Sequence, residues 1–362
     1  MKTTILSADD LRYIVNRIGL DALMDETIRR LTASFVAYHP GETVIPVRGG
    51  FKYSHPQLGL IEWMPGMRVG DGVYIKVVGY HPNSGALNGL PTILSTQSMY
   101  SVSDGHLISL MDASFVTALR TGAASAVASR VLARPASSSI GLVGTGAQAV
   151  TQLHALSRIF PLEKVFLFDI DAGAMDSFPA RVGCLNLDHL SMESGPVKDW
   201  SDKVDILVTA TSVGIGDGPV FHDSNLPDHV HINAVGSDFP GKFEVPKSVL
   251  ARALVCPDFP EQAAVEGECQ HMMPEDIGPD IQTLVREHDR FSNKREHCTV
   301  FDSTGWALQD IVTMDLFREY AGQFRVGTEI QLETISTDHR NPYRFLKEHP
   351  DADVEDNPGR KA

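Results

Sequence analysis

A glycine-rich segment at residues 140–149, IGLVGTGAQA, has the residue types and spacing that bind a dinucleotide. Its apolar run predicts a strand, and a G-x-G-x-x-A pattern follows where that strand would turn into a helix. Gly144 permits the tight turn, Gly146 lets the backbone approach a pyrophosphate, and the small Ala149 lets helix and strand pack closely. The helix N-terminus then faces the negative charge of the phosphates. We therefore expect a dinucleotide site with contacts from Gly144, Thr145, Gly146, Ala147 and Gln148.

An acidic residue at the expected spacing supports this interpretation. Asp169 ends the next apolar run, VFLFD, about 20 residues beyond Ala149, where a carboxylate can accept hydrogen bonds from the adenosine ribose. A 2'-phosphate beside Asp169 would meet like charge, and no arginine follows immediately to compensate. The segment therefore predicts NAD as the cofactor rather than NADP. A glycine-rich turn without a ligand is the alternative, and the combination of strand, helix and acid argues against it.

A second glycine motif, GSDFPGK at residues 236–242, fits the first seven positions of a phosphate-binding P-loop. The eighth position is Phe243, which has no hydroxyl to bind magnesium, and Pro240 removes a backbone donor. We therefore do not expect a nucleoside triphosphatase.

The elements that must position these motifs form two groups along the chain. Ser7 predicts a helix N-cap, a helical apolar stripe runs to Gly19, and a second stripe follows from Leu23 to Phe35. Short β-prone runs separated by glycine and proline turns fill residues 43–96. Residues 112–133 predict a long alanine-rich helix that ends before Pro135.

From residue 138 onward, short apolar runs alternate with helical stretches, which indicates a parallel sheet with crossover helices. Residues 306–320 predict a last helix that returns to the first domain. The predicted fold is thus α/β, with a Rossmann-type parallel sheet domain at 126–305 and an α+β substrate-binding and dimerisation domain at 1–125 completed by 306–348. Residues 349–362 are polar and predict a disordered tail.

Composition excludes several classes of protein. With 31 basic and 46 acidic side chains the formal charge is -15, which would repel nucleic acid and an anionic membrane surface. No apolar run approaches the roughly 20 residues that span a bilayer, and the polar start does not resemble a signal peptide, so we expect a cytoplasmic protein. The four cysteines predict free thiols, and no metal-ligand spacing is present among the histidines and cysteines, so no metal is expected.

Several longer strings resemble the ornithine cyclodeaminase and mu-crystallin family over roughly residues 5–320. They are GLIEWMP at 59–65, the stretch from Ala118 to Arg130, GTGAQA at 144–149, HINAVGSDFPGK at 231–242 and FDSTG at 301–305. Within that family LARP at 132–135, the extended 144–156 string, PEQAAVEGECQ at 260–270 and NPYRFL at 341–346 are most similar to the lysine cyclodeaminases.

The resemblance implies that Arg48, Lys76 and Arg120 hold a substrate carboxylate. Physical chemistry agrees, because an α-carboxylate needs fixed cations and arginine can engage it through two hydrogen bonds. Taken singly, each of these side chains would be expected in solvent. The resemblance also makes Asp238 the general base and Glu62 a carboxylate of the substrate site. A turn-forming role for Asp238 and a strand-face position for Glu62 are the alternatives.

The same resemblance adds further cofactor contacts, with Ser303 and Thr304 near the nicotinamide; the added contacts are Thr92, Thr121, Asn233, Val235, Lys242 and Ser303. Trp63 and Trp306 are expected to be core aromatics. The bulky Phe239 that follows Asp238 departs from the family pattern and is expected to affect the shape of the pocket.

The implied reaction converts a basic L-amino acid, lysine to pipecolate or ornithine to proline, with release of ammonia. Hydride would pass from Cα to NAD, the distal amine would close the ring, and the hydride would return, so that NAD is not consumed. Two alternatives remain open at this point. One is a ketimine reductase or amino-acid dehydrogenase of the same family, and the other is a ligand-binding protein of the mu-crystallin type. The family also implies a homodimer built through the non-Rossmann domain.

Overall fold

The computed structural model describes residues 1–347, so the predicted tail at 349–362 lies outside the described residues. The first part of the chain builds a mixed sheet with helices packed on it. Its strands are β1 (Thr3–Leu6), β2 (Thr43–Val44), β3 (Gly49–Tyr53), β4 (Gly59–Arg68), β5 (Gly72–Tyr80), β6 (Ile93–Ser101) and β7 (Leu107–Asp112). Its helices are α1 (Ala8–Ile18), α2 (Leu20–Ala37) and the short α3 (Ser84–Asn88).

The start and end of α1 follow from local chemistry. The Ser7 hydroxyl accepts a hydrogen bond from the Asp10 backbone N–H, and the Asp10 carboxylate accepts one from the Ser7 N–H. The helix ends at Gly19, whose φ of 87° suits glycine. The predicted cap and stop are both confirmed.

The long helix α4 (Ser114–Leu132) leads into the second part, and nearly all of its side chains are buried. The strands that follow are β8 (Ser139–Val143), β9 (Lys164–Phe168), β10 (Ser191–Ser194), β11 (Ile206–Thr209), β12 (His231–Ala234), β13 (Leu254–Pro257) and β14 (Thr299–Asp302). The helices among them are α5 (Ala147–Ser157), α6 (Ala172–Val182), α7 (Lys247–Arg252), α8 (Pro260–Ala263), α9 (Ile281–Arg286) and α10 (His288–Phe291).

This second sheet is parallel throughout, in the order β10-β9-β8-β11-β12-β14-β13. The chain adds β9 and β10 on one side of β8 and then adds β11 and the later strands on its other side, so the strand order reverses between β8 and β11. In open α/β sheets, the carboxyl ends of the strands next to such a point form a ligand crevice. The predicted fold class, a Rossmann-type parallel sheet beside an α+β domain, is confirmed.

The chain then returns to the first part through α11 (Ala307–Phe324), which packs against α1, α2 and α4. The last strand, β15 (Thr328–Ile330), pairs antiparallel with β1. The first sheet therefore has the order β15-β1-β7-β6-β5-β4-β2, with β3 on the far side of β4. Between residues 1 and 347, no helix has the length and apolarity needed to cross a membrane.

Candidate active site

A pocket lies where the carboxyl ends of β8, β12 and β14 face the strands β4 and β5 of the first sheet. Alternation along the two strands of the first sheet explains its wall, because every second side chain shares a face. Leu60, Glu62 and Met64 of β4 lie directly opposite Tyr80, Val78 and Lys76 of β5, and all six side chains line the pocket. The predicted site residues that the pocket brings together are Arg48, Glu62, Lys76, Arg120, Thr121, Gln148, Val235, Asp238 and Ser303.

The predicted carboxylate-binding cations are buried rather than solvated. The side chains of Arg48, Lys76 and Arg120 are 8%, 1% and 6% exposed. Lys76 Nζ and Arg120 Nε lie 2.9 Å and 3.2 Å from the same Asp310 oxygen, Oδ1. Asp310 belongs to the first turn of α11 and is not identified by the sequence motifs. Its charge compensates the two buried cations, which would otherwise repel each other.

Burial changes the acid–base behaviour of Lys76. Desolvation, followed by the positive charge of Arg120, lowers the pKa of Lys76 to about 7, although Asp310 acts in the opposite direction. Lys76 is therefore poised to gain or lose its proton close to neutral pH.

Arg48 connects the first domain to the turn that follows β14. Its Nη2 donates to the carbonyl oxygens of Thr304 and Gly305, and its Nη1 lies 3.1 Å from Glu266 Oε1 and 3.6 Å from Glu62 Oε2. Burial raises the pKa of Glu266 to about 8, against the opposing charge of Arg48. Burial also raises the pKa of Glu62, with Arg48 again opposing. Arg48 thus lies between two carboxyl groups, of which the sequence motifs identify only Glu62.

The turn at residues 303–305 is held by Asp258, another residue that the motifs do not identify. Its carboxylate accepts hydrogen bonds from the backbone N–H groups of Thr304 and Gly305, at 3.2 Å and 2.8 Å. Gly305 has a φ of 87°, and a Cβ there would lie 2.8 Å from the guanidinium nitrogens of Arg120. A glycine is therefore needed both for the backbone conformation and for the close approach of Arg120.

Asp238 lies on the loop after β12 and lines the pocket. Its Oδ1 is 3.1 Å from Lys242 Nζ, and the Lys242 ammonium also donates to the Tyr80 hydroxyl at 2.7 Å. In this P-loop-like segment the N–H groups of Gly236 and Gly241 already donate to protein side chains. Phe239 does not line the pocket, since its ring packs against Lys52, with Nζ 4.3 Å from the ring centre.

The predicted dinucleotide segment has the geometry its glycines imply. Gly144 has a φ of 88°, and a Cβ there would lie 2.5 Å from the Ala210 carbonyl oxygen. A Cβ on Gly146 would meet nothing within 4 Å in the described chain, so the turn leaves open space where a pyrophosphate would lie. Asp169 Oδ2 accepts hydrogen bonds from the Thr145 N–H and hydroxyl, at 2.7 Å and 3.0 Å. The acid therefore also orders the glycine turn, and these residues fit NAD.

Of the six cofactor contacts that the family resemblance adds, three do not line the pocket: Asn233, Lys242 and Thr92. Asn233 is fully buried in β12 and donates to the Ser129 hydroxyl at 3.0 Å. Lys242 is engaged with Asp238 and Tyr80, as described above. Thr92 precedes β6, and its carbonyl oxygen accepts from the His81 N–H.

Two of the three tryptophans, Trp63 and Trp306, were predicted to lie in the core, and they differ in exposure. Trp306 is 1% exposed and stacks on Phe35 and Phe259, so its predicted core position is confirmed. The same prediction for Trp63 is wrong, because Trp63 is 39% exposed. Its neighbour Glu62 faces the pocket, so strand alternation turns Trp63 to the opposite face.

The cysteines are free, with Cys184 exposed and the other three buried. Residues 1–347 contain no group of three or more His, Cys, Asp or Glu side chains that could hold a metal ion.

Comparisons with known proteins give the family. The model of the ornithine cyclodeaminase/mu-crystallin family matches residues 10–323. An L-lysine cyclodeaminase of Streptomyces rapamycinicus is 39% identical, with 95% of this chain and 99% of the relative covered. An alanine dehydrogenase of Archaeoglobus fulgidus is 31% identical, with 92% of this chain and 100% of the relative covered.

Two solved structures support the same assignment. A lysine cyclodeaminase, studied for its recognition of L-lysine, L-ornithine and L-2,4-diaminobutyric acid, has a TM-score of 0.92 at 43% identity and covers 95% of this chain and 100% of its own. An archaeal alanine dehydrogenase dimer with bound NAD has a TM-score of 0.80 at 30% identity, covering 92% and 100%. The predictions of a cyclodeaminase-type enzyme and of NAD are confirmed. The chain therefore belongs to the ornithine cyclodeaminase/mu-crystallin family.

Proposed function

We propose that this protein is an NAD-dependent cyclodeaminase that converts L-lysine to L-pipecolate, and L-ornithine to L-proline, with release of ammonia. The main observation behind this proposal is that the charged groups of the pocket differ between the middle of β5 and its end. Lys76 lies near Arg120 at one position, and Tyr80, four residues further, lies beside Lys242 and Asp238. The pocket therefore offers cations to an α-carboxylate and acids to a distal amine.

Each side chain has a role in this proposal. Arg48, Lys76 and Arg120 bind the α-carboxylate, and the apolar Leu60, Met64, Val78 and Ile93 pack against the methylene chain. Glu62 attracts the distal ammonium, and Asp238 takes its proton, because only a neutral amine can attack the oxidised Cα. Bound NAD supplies the acceptor and the donor of the Cα hydride.

The residues that would hold NAD are those of the glycine turn together with Asp169. Ser303, Val235 and Thr121 line the pocket beside them. Asp169 places a negative charge where NADP would carry its 2'-phosphate, so we infer a preference for NAD. The pocket lies at the boundary between the substrate-binding and NAD-binding parts, which would place the substrate beside NAD. Helix α4 joins the two parts and carries Arg120 and Thr121.

Lysine is the preferred substrate in this proposal, on the strength of the 39% identical L-lysine cyclodeaminase. Mass spectrometry after incubation with NAD and lysine, ornithine or 2,4-diaminobutyrate tests it. Pipecolate and ammonia should form in equal amounts from lysine, and ornithine should also react. Proline from ornithine with no pipecolate from lysine would overturn the preference.

A second candidate is an amino-acid dehydrogenase or ketimine reductase, favoured by the 31% identity to an alanine dehydrogenase. With such an enzyme, the amount of NADH formed or consumed would equal the amount of substrate converted. The two acids Glu62 and Asp238 in one pocket favour the diamino substrate, because alanine has no distal amine for them to bind.

We also propose a homodimer that forms through the outer face of the first sheet. Phe51 lies opposite Ile61, and Gly79 lies between Ile61 and Leu94, so an apolar row crosses β3, β4, β5 and β6. Trp63 and Val77 form a second pair beside it. These side chains are between 39% and 69% exposed. A contiguous exposed apolar face of this kind marks a protein–protein interface.

Replacing Leu94 with glutamate should shift the protein from dimer to monomer at micromolar concentration, because a charge would be buried without a partner. Analytical ultracentrifugation measures this, with Val36→Glu as the control, since Val36 is equally exposed at 48% but lies on α2. A monomeric wild type, or a Leu94→Glu protein that stays dimeric, would contradict the interface.

We further propose that the enzyme is cytoplasmic and acts on a small molecule. Its charge of -15 repels nucleic acid and anionic membranes, so neither is proposed as a partner.

A further inference from the structure

The Lys242 ammonium lies between a carboxylate and a phenol at the edge of the pocket. Its Nζ is 3.1 Å from Asp238 Oδ1 and 2.7 Å from the Tyr80 hydroxyl, and it lies 4.4 Å from the centre of the Tyr80 ring. Lys242 is 4% exposed and Tyr80 is 8% exposed, whereas the Asp238 side chain keeps 29% of its surface open. The cation is therefore buried behind the acid, and the acid remains accessible from the pocket.

The three residues come from both parts of the fold. Tyr80 is the last residue of β5, on the pocket face of the first sheet. Asp238 and Lys242 belong to the loop after β12, where the Ser237 hydroxyl donates to the Lys242 carbonyl oxygen at 2.8 Å. The Gln270 amide donates to that same carbonyl oxygen at 2.9 Å. The loop backbone thus holds Lys242 in place, and Tyr80 meets it from the opposite wall.

We propose that Lys242 and Tyr80 are positioning residues for Asp238 in the step that deprotonates the distal amine. The inference rests on the proposed cyclodeaminase function and assigns the two residues to one part of the reaction. Lys242 binds one carboxylate oxygen, Oδ1, and leaves Oδ2 to accept the proton. Tyr80 fixes the Lys242 ammonium, which would otherwise have several rotamers to sample.

The proton transfer balances without any further group. The distal ammonium gives one proton to the Asp238 carboxylate, producing a neutral amine and a carboxylic acid, while Lys242 keeps its charge. Burial lowers the pKa of Lys242, but Asp238 and Tyr80 together raise it above the usual value for lysine, so Lys242 stays protonated.

The surroundings of Asp238 explain why a fixed cation is useful there. The charge of Asp238 also acts on Arg48, Glu62, Glu266 and Tyr80. Two more ionisable groups contact its loop: Lys52 lies above the Phe239 ring, and Glu244 accepts a hydrogen bond from the Gly236 N–H. Glu62 and Glu266 are buried acids, and each repels a further carboxylate when it is ionised. Lys242 offsets this repulsion at close range and in a fixed direction.

Steady-state kinetics of four variants test the proposal: Tyr80→Phe, Lys242→Met, Lys242→Arg and the control Tyr74→Phe. Tyr74 is a matched control because it lies on β5, is 1% exposed and donates to an acid, Asp315, at 3.0 Å, but does not line the pocket. Tyr80→Phe should lower kcat about tenfold, the effect of one hydrogen bond to a charged group. Lys242→Met should lower kcat about a hundredfold, and Lys242→Arg should recover part of that loss.

Three further measurements separate positioning from other roles. KM for lysine and the affinity for NAD, followed by fluorescence titration, should change less than about twofold in Tyr80→Phe. The isotope effect on kcat from deuterium at the substrate Cα should fall toward one in Tyr80→Phe and Lys242→Met, because a proton transfer has become slower than breaking of the Cα–H bond. Tyr74→Phe should match the wild type in every measurement.

Two results would overturn the proposal. If Lys242→Met binds NAD weakly and regains full kcat at saturating NAD, then Lys242 acts on the cofactor. If Tyr80→Phe behaves like Tyr74→Phe, or lowers kcat without reducing the isotope effect, Tyr80 has no part in the proton step. If the wild type releases no ammonia from lysine, ornithine or 2,4-diaminobutyrate, the proposed function itself is contradicted. This result comes from the wild type alone and is therefore distinct from the results for the variants.

Discussion

Replacing Asp238 with asparagine is expected to lower turnover about a hundredfold or more, as for the loss of a positioned general base. Asparagine keeps the shape of the side chain and can still accept a hydrogen bond from Lys242, so the loop should not rearrange. An amide cannot take a proton from the distal ammonium, however. Fold and NAD affinity should therefore be unchanged, because the glycine turn and Asp169 lie in a different part of the site.

Stopped assays of ammonia release, circular dichroism and NAD titration measure these three properties. Asp223→Asn is a suitable control, since Asp223 also lies in the second domain and pairs with Arg252 without lining the pocket. An Asp238→Asn enzyme that keeps most of its activity would remove Asp238 from the mechanism.

Replacing Lys76 with methionine is expected to weaken binding of the product L-pipecolate, in the presence of NAD, by about a hundredfold. The change removes a charged partner from a buried site, which costs about 2–5 kcal/mol in comparable pairs. Pipecolate is the better probe than lysine, because it carries the carboxylate but no free distal amine. Asp310 retains its contact with Arg120 in the variant, so the fold is expected to survive.

The same binding measurement should depend on pH in the wild type. Burial and Arg120 lower the pKa of Lys76 to about 7, so the ammonium is present below that pH and is lost as the pH rises through it. A carboxylate binds the charged form, and affinity should therefore fall as the pH rises above about 7. Ionisation of Glu266, whose pKa is raised to about 8, adds a smaller loss in the same direction. The other charged groups that act on Lys76 are Arg48, Arg120 and Asp310.

In Lys76→Met the fall in pipecolate affinity near pH 7 should disappear. Only the smaller loss of affinity that comes from ionisation of Glu266 should remain. Lys164→Met, which removes an exposed lysine paired with Glu193, should leave both affinity and pH dependence unchanged. A wild-type affinity that is constant across this range would contradict the assignment of Lys76 to the carboxylate.

The parts of the fold that were predictable from sequence are those with strong local patterns. The capping box at Ser7, the alanine-rich helix and the apolar runs of the parallel sheet depend on neighbours in the chain, so their pattern is visible in one segment at a time. The short elements α3, β10 and β15 were missed. A strand such as β15 exists because it pairs with β1, more than 300 residues away, and its own sequence carries no comparable signal.

The candidate site divides in the same way. The glycine turn and the strings around Asp238 and Arg120 were recognisable, since they are contiguous. Asp310, Asp258 and Glu266 were not, because each acts on a residue distant in the chain and becomes meaningful only when α11 and the loop near α8 are folded against the pocket. Tyr80 could have been identified: two-residue alternation places it on the same strand face as Lys76. The same alternation would have corrected the prediction that Trp63 lies in the core.

The most direct test of the central claim follows the hydrogen on the substrate Cα. A cyclodeaminase removes this hydrogen as hydride and returns it to the same carbon before the cofactor leaves. Lysine deuterated at Cα should therefore give pipecolate that is still deuterated at that carbon, with ammonia equal to product and NAD required only in catalytic amount. Deuterium that appears in free NADH or in solvent at the first turnover, or pipecolate formed without any NAD, would contradict the account.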